Sequence, residues 1–211
     1  DSGGTAQQIS DIFAGEFTDV DHGSSMAGIA VTGADAGGTG AWWYSDNGTA
    51  WTQIGSVSPA SALVLSAAAH LKFVPAPDYN GTPPALTVYA IDDSYAGAFT
   101  SGASAVTVDL TPAASHGGST AFAQNPTAIT TSVTAVNDDP VITSGAGAIA
   151  QVSIVENTTA VTIVTATDVD SANLTYSVVT DDDDHSPDGA KFTIDQNAGA
   201  LIFVTAPDYE A

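Results

Sequence analysis

Two phrases of this chain each occur twice, in the same order. Phe73-Val74-Pro75-Ala76-Pro77-Asp78-Tyr79-Asn80 returns as Phe203-Val204-Thr205-Ala206-Pro207-Asp208-Tyr209-Glu210, and Thr18-Asp19-Val20-Asp21 returns as Thr167-Asp168-Val169-Asp170. Self-similarity of this kind reads as two tandem copies of one unit. The Asp-Val-Asp phrases are offset by 149 positions and the Asp-Tyr phrases by 130, so the first copy carries 19 extra residues between them. Between the copies lies Val136-Asn137-Asp138-Asp139-Pro140, acidic and closed by proline. The expected organisation is a first unit over 1–136, a linker over 137–140 and a second unit over 141–211.

Both units read as all-β. Ala105–Leu110, Ala128–Val136, Val152–Val155 and Ala160–Val164 alternate with period two and are rich in Val, Ile and Thr, while Gly, Pro, Asn and Asp break the runs. Such short alternating segments predict the strands of a β-sandwich. No helical period is sustained, although the Ala-rich stretch 58–70 fits either a helical turn or a strand at Ala62-Leu63-Val64-Leu65. The extra residues of the first unit include Trp42-Trp43-Tyr44-Ser45-Asp46-Asn47-Gly48-Thr49-Ala50-Trp51. Asp46-Asn47-Gly48 is a tight-turn signal between aromatic strands and predicts a hairpin. Its tryptophans read as core and cross-strand packing, with a carbohydrate-stacking platform as the alternative. From Asp78 the first unit runs on for nearly sixty residues to the linker, through Leu86-Thr87-Val88-Tyr89-Ala90-Ile91-Asp92-Asp93, whereas the second has no such continuation before Ala211. The second sandwich is therefore expected to be truncated, with an unpaired edge, and the chain reads as an internal slice of a longer secreted protein.

Charge narrows the partners. The chain holds 24 Asp and Glu against two Lys and no Arg, a formal charge of −22. Nucleic acid is an unsuitable partner because phosphate neutralisation needs clustered cations, and an anionic membrane face fails for the same reason. So large a charge pushes a compact fold apart unless counterions bind or ambient salt is high. Cysteine is absent, which removes disulfides and thiolate metal sites. No apolar run approaches the ~20 residues of a membrane-spanning helix, so membrane insertion is not expected.

Short acidic motifs carry the remaining chemistry. Asp168 and Asp170 stand two apart, which directs both carboxylates to one side if the backbone is extended. Proline after Asn137-Asp138-Asp139 biases Asp139 toward extended geometry. Calcium (Ca2+) takes 6–8 oxygens at about 2.3–2.6 Å, so several such motifs must converge to bind it. With these residues the chain resembles the cadherin-like repeats of bacterial repeats-in-toxin giant adhesins, whose units are immunoglobulin-like Greek-key sandwiches. The resemblance implies that Glu156 is the acidic residue near a domain start, Asp208-Tyr209-Glu210 the later acidic pair, Asn137, Asp138 and Asp139 the linker, and Asp168 and Asp170 the Asp-x-Asp element. It likewise implies that Asp92 joins Asp19 and Asp21 at the leading end of the first unit, and that Asp78 contributes to the central joint. The second unit follows the pattern almost throughout, the first only in its motifs. Gln7 stands where the second unit has Glu156, Asn80 where it has Glu210, and the linker has Ala135 where a further Asp is usual and is one residue shorter before its proline.

Asp181-Asp182-Asp183-Asp184-His185 reads as a solvated charge run, with a surface calcium site including Asp188 as the sharper alternative. The four histidines lack zinc spacing, no Gly-x-Ser-x-Gly elbow occurs, and the glycine-rich segment 33–40 lacks the Lys-Ser/Thr of a phosphate loop. Catalysis is not expected. The expected function is that of a calcium-dependent extender at a bacterial cell surface, partnered by neighbouring repeats of the same chain. A glycan- or protein-binding module using the Trp-rich hairpin, or a non-catalytic module of a secreted hydrolase, are the alternatives.

Overall fold

A computed structural model describes residues 5–18, 25–145, 149–180 and 188–210. The chain divides into two compact units, Asp1–Val136 and Asn137–Ala211. It is almost entirely β, in several antiparallel sheets, as the alternating segments require.

The first unit runs β1 (Gln7–Gln8), α1 (Ile9–Ile12), β2 (Met26–Gly33), β3 (Gly40–Ser45), β4 (Thr52–Gln53), β5 (Ala62–Ser66), β6 (His70–Pro75), β7 (Leu86–Asp92), β8 (Thr107–Val108) and β9 (Thr127–Ile129). Its four-stranded sheet has the order β1-β6-β3-β4 and its five-stranded sheet β8-β5-β2-β7-β9. Trp42, Tyr44, Leu71 and Phe73 from the former and Ile29, Val31, Leu63, Leu65, Leu86 and Val88 from the latter share one buried cluster. Two sheets facing each other across a common core make a sandwich. Period-two alternation explains β3, in which Trp42 and Tyr44 are buried while Trp43 turns to the other face. The expected hairpin is present, with Trp43 opposite Gln53 and Tyr44 opposite Thr52. Asn47 closes its turn, its Oδ1 accepting the Thr49 and Ala50 N–H groups at 2.9 Å each, and Gly48 supplies a φ of +73°. The Ala-rich stretch resolves as strand β5, because Leu63 and Leu65 are needed in the core.

Strand β2 departs from alternation. Residues 29–32 are buried consecutively, which requires cover on both faces of the sheet. A second cluster supplies it, with Ala30, Ala62, Val64, Ile91 and Leu110 beneath Tyr95, Phe99 and Phe122 of the long connections on either side of β8. Tyr95 stands edge-on to both phenylalanines at 5.2 and 5.4 Å, and burial pushes its hydroxyl pKa up. Gly28 permits this layering, since a Cβ there would collide with the Leu65 carbonyl and the Phe99 ring.

The second unit contains β10 (Val141–Ile142), β11 (Ala160–Ile163), β12 (Ala166–Thr167), β13 (Phe192–Ile194) and β14 (Ala200–Phe203), with one 3-10 turn at Gly189–Lys191. β10 pairs with β12, and β14 lies between β11 and β13. The segment 152–155, expected as a strand, belongs to no sheet; Val155 is 75% exposed. Each unit has an aromatic pair across neighbouring strands: Phe192 is opposite Phe203 with rings 4.6 Å apart, and Trp42 is opposite Phe73 at 5.4 Å. Energetically the units differ. Every fully buried hydrophobic side chain among the described residues belongs to the first unit, whereas Val141, Ile142, Val155 and Ile163 of the second are each more than 60% exposed.

Candidate metal centre

The acidic motifs lie where strand pairing puts them. β10 and β12 pair antiparallel with Val141 opposite Thr167 and Ile142 opposite Ala166. Three residues back from Val141 and three on from Thr167, the same register brings Asp138 level with Asp170. The Asp138 backbone N–H donates to Asp170 Oδ2 at 2.7 Å, joining linker and Asp-x-Asp across a gap of 32 residues. The linker and this motif are thus one structural site of the second unit. Asn137 Nδ2 donates to the Asp138 carbonyl at 3.0 Å, which fixes the entry to the linker; Asp139 beside it is exposed.

Asp168-Val169-Asp170 is a turn and not the extended segment that its spacing suggested. Asp168 Oδ1 accepts the Asp170 and Ser171 N–H groups at 2.8 Å each. A short carboxylate two residues from a free N–H folds back on its own backbone, and that local bond outcompetes extension. Of the two carboxylates, it is Asp170 that meets the linker.

A second acidic group forms at Glu156. Its Oε2 accepts the Tyr209 N–H at 3.1 Å, and the neighbouring Asn157 N–H donates to the Pro207 carbonyl at 2.8 Å. Asn157 adopts a φ of +60°, a left-handed conformation that Asn tolerates better than most side chains. Asp208 Oδ1 accepts the Glu210 N–H at 3.0 Å. Glu156, Asp208 and Glu210 are therefore neighbours, although 52 to 54 residues separate them in sequence.

In the first unit, Asp19 and Asp21 lie outside the described residues. Asp92 ends β7 opposite Met26, and its Oδ1 accepts the Ser94 N–H at 2.7 Å. The adjacent Asp93, which sequence reasoning passed over, accepts both the N–H and the hydroxyl of Ser25 at 3.2 Å. Its place in the Asp92-Asp93 pair at a strand end was the available signal. Asp78 is exposed with a φ of +60°. Tyr79 beside it packs on the core, whereas its counterpart Tyr209 is 92% exposed.

Asp181–Asp184 and His185 also lie outside the described residues, and Asp188 pairs with Lys191 Nζ at 2.7 Å. Among the described residues no group of three or more His, Cys, Asp or Glu side chains is arranged to hold a metal. What the folded chain brings together are backbone amides on single carboxylates, the Asp138 N–H on Asp170 and the Tyr209 N–H on Glu156.

The Trp-rich hairpin divides between the two faces of its sheet. Trp42 is in the core, and Trp43 is paired across strands with Lys72. The Lys72 ammonium sits 4.1 Å from the centre of the Trp51 ring and covers that face.

No protein-family model matches this chain, and no curated protein matches it.

Proposed function

We propose that the chain is a calcium-stiffened, cadherin-like spacer of an extracellular bacterial surface adhesin. The observation that supports the reading is the 2.7 Å bond from the Asp138 N–H to Asp170 Oδ2, which holds the Asp170 carboxylate against the linker backbone. The donor chemistry supports it, since hard oxygen ligands abound and thiolates are absent. The bound cation would supply positive charge and oxygen coordination to Asn137, Asp138, Asp139, Asp168 and Asp170. Glu156, Asp208 and Glu210 are the candidate ligands of a second site. Asp19, Asp21, Asp92 and Asp78 remain candidates in the first unit by resemblance.

In this mechanism the protein's own groups carry the mechanical work. Asp168 uses Oδ1 to hold its turn, while Asp170 ties the turn to the linker backbone. Neutralising these carboxylates removes the repulsion that would otherwise leave residues 137–140 free to pivot. Neighbouring repeats of the same chain are the partners of such a spacer.

Thermal unfolding in millimolar calcium and in excess chelator tests the proposal. A site of ~10 µM affinity stabilises by about 2.7 kcal/mol at a hundredfold excess of ligand, a shift of several degrees. Identical melting curves in the two buffers would reject the calcium-linked reading.

A further inference from the structure

The hairpin turn of the first unit holds chemistry that the calcium reading leaves unused. Asn47-Gly48-Thr49 is an Asn-x-Thr triplet, the acceptor pattern for sugar transfer to asparagine. Five of the chain's seven asparagines have threonine two residues on, at 47, 80, 125, 157 and 173. Threonine is 26 of 211 residues, so chance placement would give about one such triplet. Asn125 is followed by proline, which disqualifies it. The other four asparagines are exposed, and so is the threonine of each triplet.

Geometry separates Asn47 from the rest. Its Oδ1 accepts the N–H and the hydroxyl of Thr49 at 2.9 Å each, the Ala50 N–H at 2.9 Å and the Ser45 hydroxyl at 3.1 Å. Two of these donors are backbone N–H groups, which cannot accept, so the atom facing the turn is the oxygen. Nδ2, the other arm of the same planar carboxamide, makes no hydrogen bond among the described residues. Among those residues, no bond joins the side chain of Asn80, Asn157 or Asn173 to its own threonine hydroxyl. The turn is also anchored. Asp46 Oδ2 accepts the Gly102 N–H at 3.0 Å and the Ser101 hydroxyl at 3.3 Å, and the Tyr44 hydroxyl donates to the Gly102 carbonyl at 2.9 Å. An amide nitrogen is a poor nucleophile because its lone pair is shared with the carbonyl. Donors already aimed at Oδ1 stabilise charge there as an Nδ2 proton leaves, and a fixed turn lowers the entropy lost on reaching the reacting geometry.

We propose that Asn47 is an acceptor site for N-linked glycosylation by a glycosyltransferase that carries a sugar as its diphosphate ester. Nδ2 forms a bond to the anomeric carbon while the bond from that carbon to the diphosphate oxygen breaks. The diphosphate leaves with the electron pair, and one Nδ2 proton passes to a base of the transferase. The product carries its sugar at the tip of the hairpin. None of the candidate calcium ligands takes part.

The test uses protein isolated from the cells that naturally make it. Cleavage before aspartate yields the peptide 46–77, in which Asn47 is the only asparagine. Mass spectrometry with fragmentation that preserves the glycosidic bond should find a sugar on Asn47. In the same cells Thr49→Val, which removes the hydroxyl and keeps the backbone N–H, should lower occupancy about tenfold, whereas Thr49→Ser should retain most of it. Tryptophan fluorescence in urea, from Trp42, Trp43 and Trp51 beside the turn, shows that each variant is folded. A bare Asn47, or one only deamidated to aspartate, overturns the proposal. So does a sugar confined to serine or threonine hydroxyls, or occupancy that Thr49→Val leaves unchanged.

Discussion

Phe73 and Phe203 are the same residue at the same place in the repeat, yet replacing each by alanine should carry very different costs. Phe73 is 2% exposed and stands edge-on to Trp42 at 5.4 Å in the core between two sheets. Truncation there loses the transfer energy of a buried ring and leaves a cavity, about 3–5 kcal/mol in total. Phe203 is half-buried, stacks on Phe192 at 4.6 Å, and borders a space already open to solvent. Burying a Phe side chain completely stabilises by roughly 1.5–3 kcal/mol; half of that, with no cavity term, gives about 1 kcal/mol. All three tryptophans lie in the first unit, so fluorescence under urea reports that unit. With a slope of ~2 kcal/mol per molar urea, Phe73→Ala should lower the midpoint by about 2 M. Phe203→Ala is read by amide exchange at Phe203 and Val204, whose N–H groups donate to the Thr159 and Lys191 carbonyls. Equal losses at the two sites, or a loss below about 1 kcal/mol for Phe73→Ala, would refute the account of where this protein keeps its core.

Three further outcomes are expected. Asp168→Ala removes the acceptor of two backbone N–H groups and should broaden the distribution of shapes seen by small-angle scattering in calcium until it matches the chelated wild type; an unchanged profile contradicts the stiffening mechanism. Backbone N–H groups of Ala198 and Asn197 hold the Asp195 pKa below its ordinary value, and the Thr111 hydroxyl and N–H do the same for Asp109. A folded pKa below the unfolded one gives stability that is complete above the unfolded value and lost as pH falls through the folded one. These two turns should therefore loosen only in acid, and a carboxylate NMR titration placing either group at or above the usual range would disprove it. Lys72→Met combined with Trp51→Leu in a double-mutant cycle should show a coupling of about 0.5–1 kcal/mol, and zero coupling would remove the ring–ammonium contact from the energetics.

The sequence alone determined the repeat, the all-β class and the aromatic hairpin, because each is written locally. Period-two alternation, Asn47-Gly48 in a turn and the duplicated Phe-Val and Asp-Tyr phrases need no distant residue to be read. Tertiary structure decided everything that depends on which strand lies beside which. Only pairing of β10 with β12 brings Asp138 to Asp170, and only the approach of residues 207–209 to Asn157 makes Glu156 a neighbour of Asp208. Local bonding also reversed one expectation, since Asp168 bends its own backbone into a turn. The second cover of the five-stranded sheet was equally hidden: Tyr95, Phe99 and Phe122 lie in loops whose sequence shows no period, and their role appears only once β2 is buried on both faces. Two copies of one pattern thus reach different ends. The first unit closes two sheets over its apolar residues, while among the described residues of the second Val141, Ile142, Val155 and Ile163 stay more than 60% exposed.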